Sequence, residues 1–354
     1  MKKDAREFLA QLLDAPSPSG YEGPARRVWL ARVADVADET SVDVHGNAIA
    51  TLNPGGSPRV MLAGHMDELG FQIHHIDDNG MLRFRPIGGH DMRQLTGRRV
   101  LVHTAKGAIV GVIGQRPIHL IRDRKTHNAP KYHELWIDCG FADGKEAKRN
   151  VDIGDPATYQ ESFAMLRGEI AVARGFDNRA GAFVVAEVLR ALKGAKGLKA
   201  QVTAVATVQE EIGLRGARTA AYGIDPEVGI AVDVTWATDN PGGEARVIGE
   251  CKLGAGPVLT RGPNINPPLY DMLRTAARRG KISLQHRALP AGSGTDANAI
   301  QITRAGVATA LLGVPQRYMH SPVELCHLGD LDATVRLIAG TIRQMKPTTS
   351  FIPE

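Results

Sequence analysis

Sulfur, aromatic side chains and long apolar runs are all scarce in this chain of 354 residues. Its three cysteines, Cys139, Cys251 and Cys326, include no CxxC pair. An odd count without that spacing argues against a disulfide framework and fits a reducing compartment. Phe, Tyr and Trp make up only 5% of the residues, which leaves few platforms for stacking single-stranded nucleic acid. No apolar run approaches the roughly 18 residues of a membrane span. Met1 to Pro16 carries Lys2, Lys3, Asp4, Arg6 and Glu7 where a signal peptide would be apolar. There is no N-x-S/T sequon. A large charge excess is missing too, since 43 Lys and Arg face 38 Asp and Glu for a net +5. The basic clusters (Arg26-Arg27, Arg122 to Lys125, Lys145 to Arg149, Arg278-Arg279) are short and scattered, and read as solvated faces, not as a nucleic-acid footprint. The expectation is a cytoplasmic protein with neither nucleic-acid nor membrane partners.

What is present is a globular composition, 43% apolar and 23% charged, in a chain long enough for about two domains. Asp4 to Leu13 and Gly23 to Val36 read as helices. Asn47 to Leu52 and Arg59 to Ala63 (RVMLA) read as strands, the second apolar throughout and so buried on both faces. From Leu69 the texture changes to short β-like segments separated by turn signals such as Asp78-Asn79-Gly80. Only Gly144 to Asn150 offers a helical period there. After Gly168 an α/β rhythm returns. Asp177 to Leu192, Tyr270 to Arg279, Asp296 to Ile302 and Leu331 to Met345 read as helices. Gln201 to Val208, Val228 to Val234, Ile282 to Ala288 and Val307 to Gly313 read as strands. Alternation of this kind predicts a mainly parallel-centred sheet covered by helices. The predicted division is 1–68 with 169–354 as an α/β catalytic unit, and 69–168 as an inserted all-β unit.

In open α/β sheets ligands bind at the carboxyl ends of strands, and polar residues gather there. His65, Asp67 and Glu68 follow RVMLA, Glu210-Glu211 follows VTAVATV, and Asp233 sits inside VGIAVDV. His320 follows the strand at 307–313, and Asp177 opens the long helix. Singly, each has a plain explanation. A lone His is a hydrogen-bonded structural residue, Asp177 a helix N-cap, Glu210-Glu211 a solvated start, and Asp233 a partner for a buried Arg. Jointly, two His and several carboxylates match the ligand chemistry of zinc-like ions. Five ligands with one shared carboxylate suffice for a two-metal site that activates water and polarises a carbonyl. A second Glu beside a ligating one can act as general base, and Asp67 can fix the His65 tautomer. The other ten histidines, with His90 and His119 the least settled, read as structural or surface residues. Gly292 to Ala297 has the GxGxxA shape of a dinucleotide loop, but no acidic residue follows about 20 positions on. P-loop, HExxH and GxSxG patterns are absent.

The segments GHMDELGF (64–71), PIGGHD (86–91), FDNRAG (176–181), QEEIGLRGA (209–217), AVDVT (231–235), GSGTDA (292–297) and RYMHSPVE (317–324) together resemble the tetrahedral, TET-type metallo-aminopeptidases. That family includes glutamyl and deblocking aminopeptidases and relatives once described as endoglucanases. The resemblance implies a dinuclear-metal exopeptidase fold with a PDZ-like dimerisation insert, and dimers assembled into a hollow dodecamer. It implies that His65 and Asp233 bind one divalent ion, Glu211 and His320 the other, and Asp177 both. Glu210 would be the general base on a metal-bridging water, and Asp67 would orient His65. Zinc is the first candidate ion, with cobalt or manganese as alternatives.

The expected activity is removal of N-terminal residues from peptides. The alternative is a metal-dependent amidohydrolase or deacylase acting on acylated or modified amino acids or dipeptides, which would not require a free α-amine. A glycosidase would use Glu210 with another carboxylate and leave both His unexplained. A shell-forming or peptide-binding module would have no use for Glu210.

Overall fold

Four apolar runs form the centre of the molecule in a computed structural model, which describes residues 1–120 and 129–354. His127 and the basic cluster 122–125, within the polar stretch 122–134, lie outside the described residues. The four runs are the strands Gln201–Thr207, Arg59–His65, Val228–Trp236 and Ala308–Arg317, adjacent in that order and mutually parallel. They are buried on both faces, which is why they read as continuous apolar runs instead of alternating ones. Side-chain alternation splits them between two cores. Val60, Leu62, Val202 and Ile230 face one side, where Phe176–Leu192 packs with Lys3–Asp14, Gly23–Val33 and Leu328–Ile342. Met61, Ala63 and Val205 face the other, against Arg215–Ile224 and Asp296–Gln301.

Antiparallel strands extend this parallel centre. Glu39–Val42 and Ala48–Leu52 flank one edge. Glu324–His327, Ile170–Ala173 and Ala164–Met165 continue beyond Ala308–Arg317. Val258–Arg261 pairs antiparallel to Ala308–Arg317 and parallel to Gln285–Ala288. The sheet counts 11 strands among the described residues. Six further strands between Gly70 and Tyr159 close a separate barrel around Phe71, Phe84, Val100 and Ile137. The helix anticipated in that stretch is present at Gly144–Asn150.

Several elements differ from the sequence reading. The second helix stops at Val33, and the strand expected over 282–288 narrows to Gln285–Ala288. The helix Arg215–Ile224 was not anticipated. It buries Gly216, Ala217, Ala220 and Ala221, and such small side chains give almost no hydrophobic period.

Two glycines govern the level of the central helix. A Cβ on Gly64 would lie 2.3 Å from the carbonyl carbon of Gly181, and one on Gly181 would lie 2.4 Å from the Val232 carbonyl oxygen. Their bare backbones let Phe176–Leu192 settle directly onto the strands. The indole N–H of Trp29 donates to the Ala182 carbonyl at 2.8 Å and pins the helix from its outer side. The start of that helix therefore sits level with the end of the His65 strand.

Candidate active site

His65, Asp67, Asp177, Glu210, Glu211, Asp233 and His320 meet at the carboxyl edge of the parallel strands, whereas Glu68 turns away to Arg174 and Arg179. His65 ends its strand, Asp233 lies near the end of the neighbouring one, and Glu210-Glu211 and His320 follow two others. Asp177 is at the centre. Its Oδ1 lies 3.3 Å from His65 Nε2 and its Oδ2 lies 3.2 Å from His320 Nε2. Glu210 Oε2 is 3.7 Å from His65 Nε2, and Glu211 Oε1 is 3.5 Å from His320 Nε2. Asp177 is no N-cap. Its backbone is non-helical, and the side chain of Asn178 is the one that accepts a helix N–H, from Gly181 at 2.9 Å.

Three groups bring ligand atoms within 4.8 Å of one another: His65, Asp177 and Asp233; Asp177, Glu211 and His320; His65, Glu210 and Glu211. The first two share Asp177.

The charges do not balance among protein groups alone. Burial opposes ionisation of Asp177, but its bonds to His320 and His65 outweigh this and hold the carboxyl below its usual range. Asp177 in turn lifts His320 to about 9. Burial would lower His65, yet Glu210, Asp177 and Asp67 drive it well up. The remaining carboxylates move the other way. Burial, followed by Asp177, pushes Glu211 up to about 8. Burial and Asp177 likewise push Asp233 to about 8, against relief from His65. Burial, then Asp233, Asp296 and Glu211, carries Glu210 to about 10, again against His65. Carboxylates crowded in a water-poor pocket cannot all ionise without added positive charge. Glu211 Oε1 is also buried without a hydrogen-bond donor. Imidazole nitrogens and carboxylate oxygens at these separations suit a divalent ion of the zinc, cobalt or manganese type.

Supporting contacts set each ring. His65 Nδ1 faces the Asp67 carbonyl at 3.2 Å and its carboxylate at 3.3 Å. His320 Nδ1 faces the Gly89 carbonyl at 3.0 Å. Carbonyl oxygens only accept, so Nδ1 carries the hydrogen and Nε2 is left for the site. Fully buried Asp67 also accepts from the backbone N–H of Glu210 (3.0 Å) and Glu211 (3.2 Å) and from the Ser19 hydroxyl (2.6 Å). It therefore orders both glutamates as well as His65.

Glu324 was not singled out from the sequence. Its carboxylate accepts the backbone N–H of Asp177 and of His320, each at 2.9 Å. His320 has a left-handed backbone, φ 59°, a conformation that costs a non-glycine residue free energy, and this bond helps to hold it. The signal was available: a charged residue in the buried strand ELCH invites the same question as Asp233. Ser19 and Gly89 had no such signal. Among the described residues, none of the other histidines joins the metal-competent groups. His90 Nε2 donates to the Gly70 carbonyl (2.8 Å), its Nδ1 faces the Tyr159 hydroxyl (3.1 Å), and its ring stacks on Phe71. His119 is exposed.

The site opens into a cavity of about 300 Å³. Its lining continues from the two His and four carboxylates to Thr235, Trp236, Thr260, Arg287 and the 293–295 segment.

The M42 glutamyl aminopeptidase family model matches residues 46–337. The chain is 40% identical over 344 residues to the lysyl aminopeptidase of Pyrococcus furiosus, covering 96% of this chain and 97% of that one. Its structure is similar to the TET aminopeptidase of Thaumarchaeota archaeon SCGC AB-539-E09, with a TM-score of 0.91 at 33% identity over 97% and 96% of the two chains. It also resembles the TET1 peptidase of Pyrococcus horikoshii, which can assemble into a tetrahedron or a large octahedral shell, with a TM-score of 0.86 at 34% identity over 96% and 100%.

Proposed function

The chain belongs to the M42 glutamyl aminopeptidase family, and on that premise we propose that it trims N-terminal residues from peptides at a site built for two divalent ions. It is a peptidase. The observation that carries the two-ion reading is the placement of Asp177, whose two oxygens face two imidazoles at 3.3 and 3.2 Å. His65 and Asp233 would hold one ion, Glu211 and His320 the other, with Asp177 shared. Bound there, the ions would supply Lewis-acid activation of a water and of the scissile carbonyl. Glu210 accepts the proton of the attacking water and passes it to the departing amine. Its buried carboxylate, 3.7 Å from His65 Nε2, is placed for both halves of that exchange. Asp67 holds the Glu210 backbone and the His65 ring in place meanwhile. Zinc is the proposed ion, with cobalt or manganese also suited to these ligands.

Asp233→Ala and His320→Ala are each expected to lower bound metal per chain, measured by elemental analysis after dialysis. An unchanged content in both would contradict the ligand set.

The activity itself is tested with one short peptide and its N-acetylated twin, each after chelation and after adding back zinc or cobalt. Stepwise, metal-dependent trimming of the free peptide alone is the expected result. Equal or faster cleavage of the acetylated twin would make the protein a deacylase at the same site.

The unit 69–168 is proposed as a dimerisation-type insert and the protein as a homo-oligomer built from dimers, a dodecamer. The barrel between Gly70 and Tyr159 and the shells formed by the P. horikoshii relative support this. A cytoplasmic location is proposed from the cysteine usage, and no described helix is long and apolar enough to cross a membrane.

A further inference from the structure

The barrel-bearing stretch touches the site through the loop that follows its strand Leu82–Ile87. A Cβ on Gly88 would lie 2.4 Å from the Leu69 side chain and 3.5 Å from the Glu211 Cβ. One on Gly89 would lie 3.6 Å from His320 Nδ1. The bare backbone at 88–89 therefore packs against both residues proposed to hold the second ion. The Gly89 carbonyl accepts from His320 Nδ1 at 3.0 Å. The His320 ring depends on that bond, because its side chain is 37% exposed where that of His65 is 2% exposed. Close packing holds the His65 ring, whereas the His320 ring has open space to turn into. Among the described residues no hydrogen bond runs from the barrel stretch to His65, Asp177 or Asp233, so the contact is confined to one of the two proposed ions.

Two adjacent glycines have the freest backbone a chain can offer, so another group must set the direction of the Gly89 carbonyl. The next residue, His90, is fastened at both ring nitrogens. Nε2 donates to the Gly70 carbonyl at 2.8 Å, and Nδ1 lies 3.1 Å from the Tyr159 hydroxyl. A carbonyl only accepts, so Nε2 carries the hydrogen and Nδ1 keeps a lone pair for the tyrosine O–H. The ring stacks on Phe71 with centroids 4.7 Å apart and meets Tyr159 edge-on at 5.8 Å. Phe71 and Tyr159 belong to the core of the barrel. They lie on Gly70–Ile76 and Pro156–Tyr159, which pair with each other where the chain enters and leaves it. Every polar atom of the His90 ring is thus spent on fixing the glycine loop to that mouth.

We propose that His90 is a positioning residue for the ion of Glu211 and His320: by fixing the Gly89 carbonyl it holds the His320 ring in its ligating orientation, and so couples the barrel to that ion alone. The assignment rests on the two-ion aminopeptidase reading above. His90 touches neither the ligand atoms nor the cavity where a substrate would lie. Its loss leaves His65, Asp233 and Asp177 in place and frees the His320 ring to turn. The partner that orients a metal-binding imidazole is worth about 10- to 100-fold in metal affinity.

Calorimetric titration of the chelator-stripped full chain with cobalt(II), followed also by the visible absorption of the bound ion, tests it. The wild type is expected to take two equivalents. His90→Phe keeps a stacking ring but neither nitrogen. It should bind one ion with wild-type affinity and the other about 10- to 100-fold more weakly, and its lost turnover of a free-N-terminus peptide should return at high cobalt. His90→Gln, whose amide can donate to Gly70 and accept from Tyr159, should restore most of the affinity. Tyr159→Phe removes only the hydroxyl that meets Nδ1 and should weaken the same ion about twofold to tenfold, the worth of one hydrogen bond. If His90→Phe does not fold, Tyr159→Phe decides, and wild-type affinity for both ions in it counts against the role. Two ions at wild-type affinity in His90→Phe, or equal weakening of both, overturns the role of His90 and leaves the aminopeptidase reading intact. A wild type that takes a single ion and still trims the peptide removes the two-ion premise, and the positioning role with it.

Discussion

Glu210→Gln is expected to lower kcat by about 10²- to 10⁴-fold, the usual contribution of a positioned general base, while bound metal per chain stays at the wild-type value. The amide keeps the size and most contacts of the carboxylate but cannot take up a proton. Glu210 is 8% exposed, and its carboxylate end lies 3.7 Å from His65 Nε2, beside the ligand cluster where the attacking water is proposed to bind. Steady-state turnover of a free-N-terminus peptide, run beside elemental analysis of the same preparation, gives both numbers. Appreciable turnover in the variant removes Glu210 as the base. The metal measurement decides a second point. Glu210 also stands within ligand reach of His65 and Glu211, so loss of one equivalent of metal would make it a ligand.

The largest effect on stability is expected away from the reacting groups. Glu68, buried beside Asp67, bonds to two arginines. Arg174 Nη1 donates to both of its oxygens at 2.9 and 2.7 Å, and Arg179 Nη2 donates at 2.5 Å. The Ser17 backbone N–H adds a bond at 2.9 Å. Arg174 and Arg179 continue to the carbonyls of Asp14 and Leu13. One carboxylate thereby ties the first helix, the end of the Ile170–Ala173 strand and the start of the Asp177 helix together. Each arginine already has one buried Nε without a partner. Glu68→Gln would leave two buried guanidiniums without a counter-charge and should cost about 3–5 kcal/mol, a large part of a typical domain's 5–15 kcal/mol or so. Urea unfolding at neutral pH measures it, and a loss under 1 kcal/mol or so would contradict a buried, uncompensated pair.

The pH dependence of that loss has a definite sign. Burial alone would raise the Glu68 carboxyl, but Arg174 and Arg179 outweigh it and hold the group below the ordinary glutamate range. A depressed carboxylate contributes its full stabilisation above the unfolded value and loses it as pH falls through the folded one. The gap between wild type and variant should therefore be widest near neutrality and shrink in acid, once wild-type Glu68 is itself protonated. A gap that grows on acidification would contradict the ion-pair account.

Elements whose burial is total were legible in the sequence. The strands RVMLA, VTAVATV and VGIAVDV are apolar on both faces because helices cover both faces, and a continuous run needs no register to be recognised. The 177–192 helix was legible from its period of Ala, Phe and Val. The helix Arg215–Ile224 and the outer strands Glu39–Val42, Ile170–Ala173 and Glu324–His327 were not, since alanine, glycine and half-exposed residues produce weak periodicity. The site residues followed from one topological rule, that polar groups after buried parallel strands share an edge, combined with the cost of burying Asp233.

Residue types and their order along the chain thus determined the parallel centre, the strand-end location of the site and the donor set of two imidazoles with several carboxylates. Only the tertiary structure decided which oxygen faces which ring. Asp177 lies between His65 and His320 because Gly64 and Gly181 let the helix descend onto the strands. Glu324 holds the backbones of Asp177 and His320, and Gly89, from the barrel-bearing stretch of the chain, orients His320. These contacts join residues far apart in the chain, and their geometry depends on close-packed distances that hydrophobic patterning does not encode.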